Sequence, residues 1–385
     1  MVDSDLPSAP QRPPSRARRN MLRLWLRGLV MDDRVERLRR PFLPDLEQFQ
    51  ALAAYRGLVH QAFTQRPFSP QVSTDLWYQG SFQKSGGRQA YFSPVRRELE
   101  ASSHHYGHDV QLKRHAGLPL IGRPLPLLLE HGLKVSRMAT FESPRPWTRG
   151  YLCMGPLRAT WLRERFGLPA TPIGPWISYA RPLLETEEIS YLRAQHGPML
   201  LVVLAHSWDL VERRMDLTSC IESVAATAAE EGYRSVIWLR HWKDPDLPGL
   251  PPGWIVACNG HRSNPWFLDA LRTLLELSDG IATNAFGTHL GYGVGFGKRL
   301  HWLPVQVEQD LSHLRDHQVQ EEVQEWAERH RLTVALIETI ARVATVEAGA
   351  LQDLLEPYWG FRHVMSASQL KHLLLIGPPG GKIYV

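Results

Sequence analysis

The segment from Thr283 to Lys298, TNAFGTHLGYGVGFGK, carries the residue types that bind an anion. Gly287 permits close backbone approach and Thr288 offers a hydroxyl. A helix starting there would present unpaired amides with partial positive charge. His289 adds a donor or a charge, and Lys298 adds another if its loop folds back. Asn284 ends the preceding apolar run. The competing reading is structural, with Asn284 and Thr288 as helix caps and His289 as a packed ring.

The glycines at 291, 293, 295 and 297 match neither standard phosphate loop. Read from Gly291, a GxGxxG pattern meets Phe296 at its sixth position, and read from Gly293 it meets Lys298. A GxxxxGK[ST] loop fails at Tyr292 and at Arg299. These glycines suit tight helix packing or a backbone brought near a ligand.

Two more histidine-bearing segments follow apolar runs: AHS, with His206 and Ser207, and NGHR, with His261 and Arg262. Earlier in the chain, EHG places Glu130 and His131 where an apolar run meets polar sequence. Either could take a proton from a hydroxyl, and His131 is the better candidate base. A histidine bonded to loop backbone is the alternative. Asp109, in GHD, reads as a capping or solvated residue, and Asp244 and Asp246, in DPD, read as a turn. Serine-hydrolase GxSxG and metalloprotease HExxH patterns are absent, and no metal site is expected.

These residues need elements to hold them. PMLLVVLAHS, RSVIWLRHW, WIVACNG, DGIATNA and RLHWLPV read as five strands. Between them, Ser219 with Glu222 forms a capping-box signal for one helix, and Asn264 with Pro265 starts another. Strands alternating with helices imply parallel βαβ units and a doubly wound sheet, whose ligands bind beyond the carboxyl ends of the strands. PLPLLLEHG and RGYLCMG read as earlier strands, with the helix PLRATWLRERFG after them and the connector TPIGPWISYARP beyond. Helices are also expected at 45–64, 94–104 and 316–346, and before the final Gly/Pro turn.

The chain of 385 residues exceeds the size of one typical core, so two domains are expected. The boundaries are an arm at 1–40, α/β domains at 41–180 and 181–350, and a closing helix and tail at 351–385. The arm's ten arginines outnumber its five acids by the chain's whole net charge of +5. A pI near 9.1 therefore reflects the arm and not a basic folded face, which argues against nucleic acid as a partner. Within the arm, Leu22, Trp25, Leu26 and Leu29 recur at helical spacing beside Arg23 and Arg27. Such a stripe packs on its own domain or lies on an anionic membrane surface. Cys153, Cys220 and Cys258 lack disulfide or zinc spacing, and no apolar run spans a bilayer. A cytoplasmic protein fits, with peripheral contact at the inner membrane through the arm as its extension.

Taken together, EHG, IGPWISYAR, LAHS, HWKD, CNGHRSNPWFLDAL and SDGIATNAFGTHLGYGVGFGKRL resemble bacterial proteins of surface-polysaccharide biosynthesis that are similar to GT-B glycosyltransferases. The resemblance covers roughly residues 100–305. It implies two Rossmann-like domains facing across a cleft, the C-terminal one binding a nucleotide-sugar donor and the N-terminal one a glycan or lipid-linked acceptor. It places Asn284, Gly287, Thr288 and His289 near the donor phosphates, with His206 and His261 lining the cleft. Glu130 or His131 would act on the acceptor, with no cofactor beyond the donor. The segment after the glycine-rich loop lacks the glutamate many such enzymes place near the donor ribose, so UDP- and CMP-sugars both remain compatible. A nucleotide-sugar epimerase or hydrolase and a noncatalytic sugar-nucleotide or glycan-binding partner are the alternatives.

Overall fold

A computed structural model of the chain describes residues 98, 100–120, 124–137, 143–207, 211–241, 244, 249–259, 266–343 and 349–378. The arm at 1–40, the helix expected at 45–64, and His261, Arg262, Asn264, Pro265 and Asp246 lie outside the described residues.

The five expected strands all form. They are β4 (Met199–Val203), β6 (Ser235–Arg240), β7 (Ile255–Cys258), β8 (Gly280–Thr283) and β9 (Arg299–Trp302). They make one parallel sheet in the order β7-β6-β4-β8-β9. Counted along the chain this is 3-2-1-4-5, the doubly wound order, with its reversal between β4 and β8. Side-chain alternation explains why both faces are covered. Leu200 and Val202 pack with Cys220 and Val224 of helix α4 (Leu217–Glu230). Met199 and Leu201 join a second cluster with Leu268, Leu271, Leu274 and Leu275 of α5 (Phe267–Leu277). Each such leucine contributes about 2 kcal/mol when fully buried, so burial on both faces fixes the register.

The start of α4 differs from the capping box expected at Ser219. Asp216 is the cap, accepting from Thr218 N at 2.9 Å, and the Ser219 hydroxyl donates to Asp216 Oδ2 at 2.6 Å. A carboxylate three residues earlier satisfies the free amide of Thr218, and the serine supports it.

A second, three-stranded parallel sheet contains β1 (Leu127–Leu129), β2 (Gly150–Cys153) and β3 (Ala170–Pro172). Helix α2 (Pro156–Phe166) links β2 to β3, with proline at its start and Gly167 closing it at φ 64°. The stretch expected to be a connector is therefore core: it supplies β3 and a 3-10 turn at Trp176–Tyr179, with Trp176 fully buried. A short apolar run broken by Pro and Gly resembled a linker because its burial comes from distant partners.

Helix α1 (His108–His115) follows a 3-10 turn at Ala101–Gly107, and residues 94–97 and 99 of the helix expected at 94–104 lie outside the described residues. Buried Asp269 on α5 anchors it. Its Oδ1 accepts from Arg114 Nη2 at 2.6 Å and from Arg181 N at 2.7 Å, and its Oδ2 accepts from Gln111 Nε2 at 3.2 Å.

Helix α3 (Thr186–His196) leads into β4, and α6 (Thr288–Gly295) joins β8 to β9. Strands β5 (Glu212–Arg214) and β10 (Glu308–Asp310) form an antiparallel pair. The chain closes with α7 (Asp316–Val343), α8 (Ala350–Trp359) and α9 (Ala367–Ile376).

One buried apolar cluster runs from Leu127 and Leu152 in the small sheet through Trp176 to Leu201 and Ile281 in the large one, and on to Trp359. No described helix is long and apolar enough to cross a membrane.

Candidate functional site

The reversal between β4 and β8 leaves a crevice at their carboxyl ends, as doubly wound sheets do. Asn284 pins the two strands there, its Oδ1 accepting from Ala205 N at 2.9 Å. Beside that pin lies a cavity of about 820 Å³, counting its open mouth. One wall comes from the large sheet and its loops, through Val203, Leu204, His206, Arg240, His241, Asn259, Thr288 and His289. The start of α5 adds Phe267, Leu268 and Leu271. The opposite wall is Tyr106, His108 and Gly132, from the other half of the chain.

Thr288 and His289, expected at the anion site, and His206, expected to line the cleft, line this cavity. Two others position them. Asn284 holds the strand ends together, and Gly287 makes room, since a side chain there would stand 2.8 Å from His289 Cε1. Ser207 turns to β5 instead, its Oγ accepting from Arg213 N at 2.9 Å.

Lys298 does not join them. Its Nζ donates to Ser278 O at 2.7 Å, just before β8 begins. Helix α6 runs from the carboxyl edge of the sheet back to its amino edge, carrying Lys298 away from Thr288. Of the two readings of the α6 glycines, tight packing is the one that Gly291 and Gly293 follow. A side chain at Gly291 would stand 2.3 Å from the Trp359 ring, and one at Gly293 would stand 2.3 Å from Ile281 Cδ1.

The pair expected to supply a base has other work. Glu130 is buried, its Oε2 accepting from Met154 N at 2.8 Å and its Oε1 lying 3.6 Å from Arg158 Nε. It ties β1 to the start of α2. His131 lies behind the wall: its ring stacks on Tyr106 at 5.2 Å, and its Nδ1 is 2.9 Å from His105 Nδ1. Tyr106 in turn meets Phe267 at 4.7 Å.

Two histidines of this wall, His206 and His289, are held neutral. Burial, with Arg213 nearby, pushes His206 down to about 4. Burial, then His206 and Arg329, push His289 down to about 3. His289 Nε2 lies 2.8 Å from Thr283 Oγ1, and the ring also bonds the Ala285 backbone. Of the donor or charge expected at His289, the charge is absent, and two arginines stand close to these rings. Arg213 donates to His206 O at 3.0 Å and to Glu322 Oε1 at 3.3 Å. Arg329 donates to Leu133 O at 2.8 Å, to Glu325 Oε1 at 2.9 Å, and to Phe286 O.

Asp244 is more than a solvated turn residue. It accepts from His241 N at 2.7 Å, and burial raises its carboxyl to about 6. Asp109, expected to be capping or solvated, is fully buried and sits in the first turn of α1. Among the described residues, no group of three or more His, Cys, Asp and Glu could hold a metal.

Sequence reasoning missed Tyr106, His108, Arg240, His241, Tyr292 and the two arginines. The motif GHD did flag the right segment, through its aspartate and not its histidine. Arg213 and Arg329 gave no signal, because each sits in an ordinary run of charged residues. No protein-family model matches the chain, and no curated protein matches it.

Proposed function

We propose that this chain is a metal-independent glycosyltransferase of GT-B type, transferring a sugar from a nucleotide-activated donor to a glycan or lipid-linked acceptor in surface-polysaccharide assembly. One observation carries the reading: the cavity lies at the strand reversal of a Rossmann-order sheet, and its far wall belongs to the other half of the chain. Such a crevice suits the phosphates of a nucleotide, while a facing wall suits a second substrate.

In this reading the donor diphosphate meets the first amides of α6 and the Thr288 hydroxyl, in the field of Arg213 and Arg329. Fixed dipoles and charges there stabilise the departing phosphate without reorganising. The acceptor oxygen attacks the anomeric carbon as the bond to phosphate breaks. Its proton passes to His206, whose ring has a second nitrogen beside the one bonded to the Leu204 backbone, in place of Glu130 or His131. A cytoplasmic setting, with the arm touching the inner membrane, belongs to the same proposal.

The test is a thermal-shift screen of UDP, CMP and GDP and their sugar conjugates. Ligand at about 100 times its Kd stabilises the fold by about 2.7 kcal/mol, enough to raise Tm clearly. A clear rise with one nucleotide series supports the donor site. A flat response across the panel overturns it.

A second reading, a noncatalytic sugar-nucleotide-binding partner, is favoured by one feature: the described lining of the cavity contains no carboxylate. Release of free nucleotide from the bound conjugate, accelerated by glycan acceptor, distinguishes the transferase from the binder. A nucleotide-sugar hydrolase would release it without acceptor.

A further inference from the structure

His108 is 2% exposed, lines the cavity, and stacks on Trp176 at 4.4 Å with the rings 12° apart. One ring nitrogen bonds the Glu130 backbone, and Nδ1 has no hydrogen-bond partner. The Glu130 carbonyl must receive an N–H, so Nε2 carries the proton and Nδ1 presents a bare lone pair. Burial keeps the ring neutral, its pKa pushed down to about 3. A buried acceptor left without a donor is costly, and native proteins keep few of them.

The residue beside it is unusual as well. Tyr106, at φ 57° and ψ 12°, is the only non-glycine residue with positive φ among the described residues. A bulky side chain seldom adopts that conformation, and departures of this kind cluster at ligand sites. Stacking on His131 and packing on Phe267 hold it there, with its ring 5.8 Å from that of His108. Left-handed backbone at Tyr106 and Gly107 turns the chain so that both rings reach the cavity wall.

We infer that His108 is a specificity-determining residue: its Nδ1 accepts a hydrogen bond from a hydroxyl of the sugar carried by the donor, the sugar entering between Tyr106 and His108. The inference rests on the donor-site reading above and deepens it. The phosphates are held by the sheet wall and the sugar is read by the opposite one. Nδ1 is enclosed in the present conformation, so the wall at His108 shifts as the arriving hydroxyl supplies the missing donor.

Two substitutions separate this role from a structural one. His108→Gln retains an N–H able to reach the Glu130 carbonyl but places no acceptor at the Nδ1 position. His108→Asn keeps an acceptor near Nδ1 and gives up the bond to Glu130. The probes are UDP, CMP and GDP and their glucose, galactose, N-acetylglucosamine, mannose and sialic acid conjugates, with Kd measured by calorimetry on the full-length chain. For the tightest conjugate, His108→Gln should weaken binding on the order of 10- to 100-fold, as expected for a lost buried hydrogen bond. The matching free nucleotide should change by less than about twofold, and His108→Asn should recover most of the conjugate's affinity. The inference is overturned by conjugate binding that His108→Gln leaves intact, or by equal losses for conjugate and nucleotide. It is equally overturned if both variants shift only Tm, since a fixed water would then be the partner of Nδ1. Failure of every nucleotide to bind removes the donor site itself, and this inference with it. Nucleotide binding without a His108 effect removes this inference alone.

Discussion

Burial keeps His108, His206 and His289 uncharged, and the unfolded chain would protonate all three near 6.5. Their folded values lie lower, so the unfolded state binds protons that the folded state refuses. Stability contributed by these rings is full above about 6.5. It is lost as pH falls, until about 4 for His206 and about 3 for the other two. In that window each ring costs up to about 1.4 kcal/mol per pH unit. Urea denaturation at pH 7.5 and 5.5 should show the drop, and His108→Gln should flatten it. An equally steep drop in the variant would mean that His108 is already protonated in the fold. Glu130 makes a second residue-scale prediction. Glu130→Ala leaves Arg158 buried without its carboxylate, at a cost of about 3–5 kcal/mol. A loss under about 1 kcal/mol would show that the carboxylate is free for chemistry after all. Residue types alone picked His206, Thr288 and His289 for the cavity but also picked Glu130 and Lys298. The difference lies in direction: a polar residue after an apolar run can point into the crevice or back into the fold, and spacing does not say which.

At the scale of elements, periodicity carried most of the information. Runs such as MLLVV and SVIWLR are short, β-branched and buried on both faces, and they form central parallel strands. The β3 strand and the 3-10 turn after it were harder to see, since Pro and Gly interrupt them and their burial depends on α1, α2 and α5. The glycines of α6 show the same limit. Their number was plain, but the partner of Gly291, Trp359, lies some seventy residues on. Gly291→Ala should therefore destabilise the fold by about 1–3 kcal/mol, because the Trp359 ring is buried and cannot retreat. Gly297→Ala meets no neighbour and pays only for its φ of 64°, about 1 kcal/mol. Urea midpoints of the two variants decide the matter. Equal costs would mean that α6 does not bear on α8.

Across the whole molecule, α7 joins the two halves at the cavity. Glu325 accepts from Val135 N at 3.0 Å and from Ser136 N at 2.9 Å, while Arg329 reaches both Leu133 and Phe286. Leu133 and Val135 follow β1, and Phe286 follows β8, so one helix holds a loop from each sheet. The long helix was legible in its composition, but nothing in a run of alternating acids and arginines marks Glu325 and Arg329 as the pair turned inward. Arg329→Met should loosen that junction, weakening ligand binding about tenfold and lowering Tm. Unchanged affinity would show that the two walls are set without α7.

The central claim is that a nucleotide-activated sugar binds at the strand reversal between β4 and β8, with its phosphates at the start of α6. Calorimetric titration of nucleotides and their sugar conjugates into the wild type, Thr288→Val and Lys298→Met tests it most directly. The account predicts saturable binding to the wild type, about tenfold weaker binding to Thr288→Val, and a change within about twofold for Lys298→Met. No binding by any nucleotide, or an equal loss in the Lys298 variant, would contradict it.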